Sequence, residues 1–203
     1  DAELSLNDFE PINVSKQTSI RNVNENNDGG NVEAYIDYRT KFKKEEHELS
    51  ASLQYDKNTS NNETFIQQTE ITPNNDSFRQ KSNQNQNLHS YSFKVDYKLP
   101  LKKNSFVEAG TKINCRTYEN DFILYDLNTA TQIYEPLGNS NNDISYNEYI
   151  YGLYSSYSKK FENFSLNLSV ISERTSTIIS QKSTNIEYKN DYLDFFPTAL
   201  LNY

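Results

Sequence analysis

Apolar and polar side chains alternate with a period of two along much of the chain from Val32 onward, the period of a sheet with one wet face. Ala34, Ile36, Tyr38, Thr40 and Phe42 share one parity, and Glu33, Tyr35, Asp37, Arg39 and Lys41 share the other. This predicts a first strand over Val32–Lys43. A second is expected over His47–Asp56, with Leu49, Ala51, Leu53 and Tyr55 against Glu48, Ser50, Ser52 and Gln54. The third, His89–Leu99, sets Tyr91, Phe93, Val95 and Tyr97 against Ser90, Ser92, Lys94 and Asp96. The fourth, Ser105–Tyr118, groups Val107, Ala109, Thr111, Ile113 and Cys115. A fifth follows over Tyr146–Lys159, and a sixth starts at Phe164 with Leu166, Leu168 and Val170. In Asp191–Tyr203 a seventh strand is expected to begin after Pro197, because proline cannot donate to a ladder.

The connections alternate in length. Lys43–His47, Pro100–Asn104 and Lys159–Asn163 read as tight turns. Between them lie long polar stretches from Asp56 to Leu88, Tyr118 to Ser145 and Arg174 to Asn190. Within the first, 63–71 and 77–81 keep enough alternation to extend the flanking strands beyond a bilayer. Each strand core of about ten residues matches a tilted membrane strand of about 9–11. The pattern predicts an all-β, antiparallel up-and-down meander, part of a transmembrane β-barrel with short periplasmic turns and long extracellular loops. Residues 1–31 are expected as a polar loop turning into the first strand at Gly29-Gly30, and 32–203 as a barrel segment of about seven strands. Tyr38, Tyr55, Tyr97, Tyr118, Tyr146 and Tyr157 fall towards strand ends, where an interfacial girdle places them. Tyrosine as an ordinary strand former gives the same positions.

Composition agrees with a wall that is wet on one side. Only 34% of residues are hydrophobic and mean hydropathy is −0.89, yet 16 Tyr and 11 Phe are far too many for ordinary disorder. The net charge of −8 disfavours nucleic acid, whose phosphates need a basic face. No apolar run is long enough for a membrane helix, which says nothing against strands. The chain starts at Asp1 and contains no Met, so it is expected to be a processed or excised piece. Cys115 has no partner for a disulfide and shares parity with Ile113 and Ala109, as a small hydrophobe.

Particular residues carry a resemblance. The run from Ser145 to Tyr154, followed by Tyr157-Ser158-Lys159-Lys160-Phe161, resembles a motif of TonB-dependent-receptor-like barrels from the Bacteroidetes. Asp191–Pro197 is similar to that family's entry to the next strand. Asp96–Pro100 with Val107–Lys112 resembles one of its hairpins, and Asn120-Asp121-Phe122 a motif after it. The resemblance covers Val32 to Tyr203 in order. It implies a piece of a larger barrel around a plug domain, energised through TonB, for uptake of a bulky nutrient such as a metal chelate or glycan. A non-transporting outer-membrane scaffold, a secretion or adhesion component, and a soluble secreted β-sheet binding module are the alternatives.

No enzyme motif is present, and no cofactor is expected. His47 and His89 fall at opposite ends of neighbouring strands, without the ligand spacing of a metal site. Phe65, Phe78, Phe122, Tyr125 and Tyr134 lie in the long connections, where exposed aromatics often mark binding surfaces. They are the candidate ligand-binding residues, with packing of the loops against one another as the competing explanation. The expected partners are outer-membrane lipid, the rest of the barrel, the plug and TonB. Two open sheet edges would pair into oligomers if the piece stood alone.

Overall fold

A computed structural model describes residues 18–72, 77–102 and 104–203. They form one antiparallel sheet of eight strands: β1 (Thr18–Lys41), β2 (Glu48–Thr72), β3 (Ser77–Pro100), β4 (Ser105–Asn128), β5 (Ile133–Pro136), β6 (Asn142–Lys160), β7 (Ser165–Gln181) and β8 (Ile186–Asn202). The order is β1-β2-β3-β4-β6-β7-β8, with β5 folded back onto the top of β4. The expected meander is present, and the expected tight turns close it at one end. Phe42 N–H bonds His47 O at 2.9 Å, Leu101 N–H bonds Ser105 O at 2.7 Å, and Phe161 N–H bonds Phe164 O at 2.8 Å. Glu46 (φ 60°) and Asn104 (φ 55°) take the left-handed conformation that such turns require.

The strands are longer than the alternation predicts. β1 to β4 run 24 or 25 residues, about 80 Å at ~3.3 Å per residue, more than twice what a bilayer needs. Most of each expected long loop is strand that continues past the membrane, as 63–71 and 77–81 had suggested. The expected loop over 1–31 is corrected in the same way. Residues 18–31 belong to β1 and pair along β2, with Gly29 and Gly30 in mid-strand; 1–17 lie outside the described residues. At Gly29 a Cβ would come within 2.4 Å of Thr59 O, so Gly29 marks a close backbone approach within the strand and not a turn. Pro197 also lies inside β8, opposite Val170, so the last strand does not wait for Thr198. Among the described residues β8 pairs with β7, and Pro197 takes its place in that ladder.

Register fixes the faces. Leu53 stands opposite Ile36 and Phe93, Phe93 opposite Ile113, and Ile113 opposite Tyr151. The apolar parities of neighbouring strands therefore align into one continuous face. A one-residue slip anywhere would break it. The sheet is a single layer, and among the described residues no hydrophobic side chain is buried; Ile36 is 66% and Leu153 64% exposed. A soluble domain would cover such a face with a second layer. Lipid covers it in a barrel wall.

The three turns step steadily downward. Lys41 and Glu48 close the first hairpin, and their row continues through Lys98, Glu108 and Ser156. The second hairpin closes two residues past that row at Pro100, and the third four residues past it at Lys160. This stagger of one residue (~3.3 Å) per strand spacing of about 4.8 Å corresponds to a tilt of about 35°, the range of closed barrels. Tyr38, Tyr97 and Tyr157, each three residues before its hairpin's last pair, thus lie at one height on the apolar face. They make one row of tyrosines at the turn end of the wall. Tyr118 and Tyr146 have the opposite parity and leave the expected girdle.

Candidate functional site

Parity divides the wall into a lipid-side outer face and a lumen-side inner face, and it divides the candidate aromatics too. Phe65, Tyr125 and Tyr134 lie on the outer parity above the belt; Phe78 and Phe122 lie on the inner one. The outer three are neighbours. The Phe65 and Tyr134 rings meet edge-on at 6.4 Å, and Lys81 lies 5.3 Å from the Phe65 ring centre, directly across from Tyr125. Lys81 is also ion-paired with Glu63. The inner two are apart, since Phe122 stands opposite Gln84 while Phe78 is six residues further along β3, about 20 Å away. The five therefore do not converge on one site. Nor do the histidines: His47 Nε2 lies 2.8 Å from the Tyr97 hydroxyl and His89 Nδ1 3.0 Å from that of Tyr55. No group of three metal-ligating side chains occurs among the described residues.

On the inner face at membrane height, Asp96 gathers partners. Lys94 Nζ approaches it at 2.8 Å, and the Tyr154 hydroxyl donates to it from two strands away. Tyr154 reaches that far because Gly110 stands between them. A Cβ on Gly110 would come within 2.5 Å of the Tyr154 ring and of Val95 O. Higher up, Gln54 bridges Glu33 and Asp56, and Arg116 faces Glu148 at 3.8 Å. Just above, the Tyr146 hydroxyl donates to Glu148 at 2.7 Å. That bond, aided by burial, holds the Tyr146 hydroxyl protonated above its ordinary range.

Above this charged ring the inner face changes character. The next row across the sheet reads Asn31, Asn58, Leu88, Tyr118, Tyr146, Ile179 and Tyr188. The one after it reads Gly29, Ser60, Gln86, Asn120, Ile144, Gln181 and Ile186, and the third Asn27, Asn62, Gln84, Phe122 and Asn142. None of these is charged. Asn120, 9% exposed, accepts from Gln84 at 2.7 Å and from Gln86 at 3.2 Å; Gln181 donates to Asn142 at 2.9 Å and Ser60 to Asn27 at 3.3 Å. The Asn62 side-chain oxygen is enclosed without a partner. Sequence reasoning took this stretch as loop and missed the surface. Its signal was present: carrying the two-residue parity on past Asp56 separates Asn58, Ser60 and Asn62 from Lys57 and Glu63.

The family model for the outer membrane protein beta-barrel family matches residues 40–203. Among solved structures, BauA, the ferric preacinetobactin receptor from Acinetobacter baumannii, matches at a TM-score of 0.52 and 11% identity over 87% of this chain and 28% of that one. The alcaligin outer membrane receptor FauA from Bordetella pertussis matches at 0.41 and 16%, over 89% of this chain and 33% of that one. No curated protein sequence matches. The chain spans about a quarter to a third of the length of these receptors, and at 11% identity the likeness to BauA is one of fold. The apolar belt, barrel-like stagger and family match agree: the chain belongs to the outer membrane protein β-barrel family and forms barrel wall in the outer membrane of a Gram-negative bacterium.

Proposed function

We propose that the chain is wall of a receptor that takes up a bulky nutrient, a metal chelate or a glycan, through a plugged barrel energised by TonB. The carrying observation is the height of the wall. Strands of 24 or 25 residues rise more than twice the membrane thickness, building a deep extracellular vestibule. A pore for small solutes needs no such vestibule, whereas capture of a large ligand before passage does. The likeness to BauA, a ferric preacinetobactin receptor, supports the same reading. In it, Phe78 and Phe122 line the vestibule. Phe65, Tyr125 and Tyr134 have the opposite parity and, in this reading, take no part in lining it.

The test uses the full-length protein purified in detergent and reconstituted in liposomes. The expected result is binding of the periplasmic domain of the host's TonB, with no open-channel swelling of the liposomes in small sugars. Free permeation without TonB binding would overturn the proposal. Neither permeation nor TonB binding would assign the barrel to scaffolding.

A further inference from the structure

The charge partition of the vestibule wall names a class of ligand, given the receptor reading above. We infer that the inner wall above the membrane receives a neutral, hydroxyl-rich ligand of the carbohydrate type, and not an anionic chelate. Charged residues make up 24% of the chain, yet three successive inner rows spanning up to seven strands contain none. At the same height the outer face carries Lys57, Glu63, Asp121, Asp143, Glu187 and Lys189. Charge on the outer face marks it as wet along these rows too, so wetting alone would not sort charge to one face. A ligand that must be met by neutral groups would.

The groups present match hydroxyls. Each Asn or Gln side chain offers an acceptor and two donors, the pairing that a sugar hydroxyl, itself donor and acceptor, satisfies without any net charge. Part of the set is already ordered, since Asn120 is fixed by Gln84 and Gln86, which lowers the ordering cost on binding. Tyr118, Tyr146 and Phe122 are interleaved with these amides on the same face and offer ring surfaces for the apolar faces of sugar rings. An anionic chelate would leave its charge facing neutral amides, without the cations that charge-assisted bonds need. The ring just below, with Glu33, Asp56 and Glu148 against one arginine, repels it further.

The full-length protein is applied to an oligosaccharide array holding neutral and uronic-acid-bearing members, and is titrated separately with ferric citrate. Binding confined to neutral oligosaccharides is expected. Asn62→Asp and Gln86→Glu, which add charge with almost no change in shape, should each weaken it at least tenfold. Asn61→Asp and Asn85→Asp on the outer face should change it less than twofold. Preference for acidic oligosaccharides or ferric citrate, equal effects on both faces, or no binding at all would overturn the inference. If neutral oligosaccharides bind as stated but cells lacking TonB accumulate them normally, the receptor reading fails and the ligand class stands.

Discussion

Adjacent residues in this wall live in different solvents, and this makes single substitutions sharp tests. Leu53 lies on the lipid face and Gln54 next to it faces the lumen beside Glu33 and Asp56. Leu53→Lys should destabilise the barrel by about 2–4 kcal/mol, the cost of a lysine near the bilayer midplane. Gln54→Lys should leave stability within about 0.5 kcal/mol. Urea unfolding of the full protein in lipid vesicles measures both. Gly110 is the second test. The methyl of Gly110→Ala collides with the Tyr154 ring and Val95 O, so the ring must leave Asp96, at a cost of about 1–3 kcal/mol. Tyr154→Ala should rescue part of that loss in a double-mutant cycle. Tyr146 supplies a pH test. Its hydroxyl is held protonated by Glu148, so its contribution is complete below the ordinary tyrosine pKa of about 10 and fades as pH rises beyond it. Above that pH the wild type should lose thermal stability faster than Tyr146→Phe.

At the scale of the strand, two parts with different physics share one ladder. The membrane part is held by an apolar face against lipid, and its alternation made it legible: every expected strand overlaps an observed one, overrunning its turn-end bound by two residues at most. The extracellular part has polar groups on both faces, so hydrophobic period, the main signal for strands, is missing. Asn and Gln, poor strand formers by propensity, then read as loop. Cross-strand hydrogen bonding to neighbours already aligned by the membrane part overrides that preference. β5 was missed for the same reason, four residues long with Pro136 at its end. Candidate aromatics were found by type, but their division between faces needed the register through supposed loops. The two parts should therefore separate. Joining Asn61 to Asn85, which stand opposite each other, through a short turn removes the tip of β2 and β3. The shortened barrel should still insert and keep its heat-modifiable gel mobility, while ligand binding falls at least tenfold. Loss of insertion would show that the tall strands are needed for assembly.

As a whole, the sheet has no core of its own. It is one layer with both edge strands, β1 and β8, exposed along almost their full length. An unpaired edge is a template for another chain. The 203-residue chain made alone should accordingly run in detergent as oligomers or aggregate on a sizing column. A monomer that unfolds cooperatively would contradict this.

The regular downward step of the three turns also bears on how such a wall can change length over time. Each hairpin repeats its predecessor after a shift of two residues, so a copied hairpin inherits the slope and the facing of the one beside it. A new pair of strands can be spliced into the circumference without retuning those already there. Within a strand the rule is stricter, because gaining or losing one residue turns every later side chain from oil to water. Natural variants of this wall should therefore differ by whole hairpins and by tips of any length, and rarely by single residues in between.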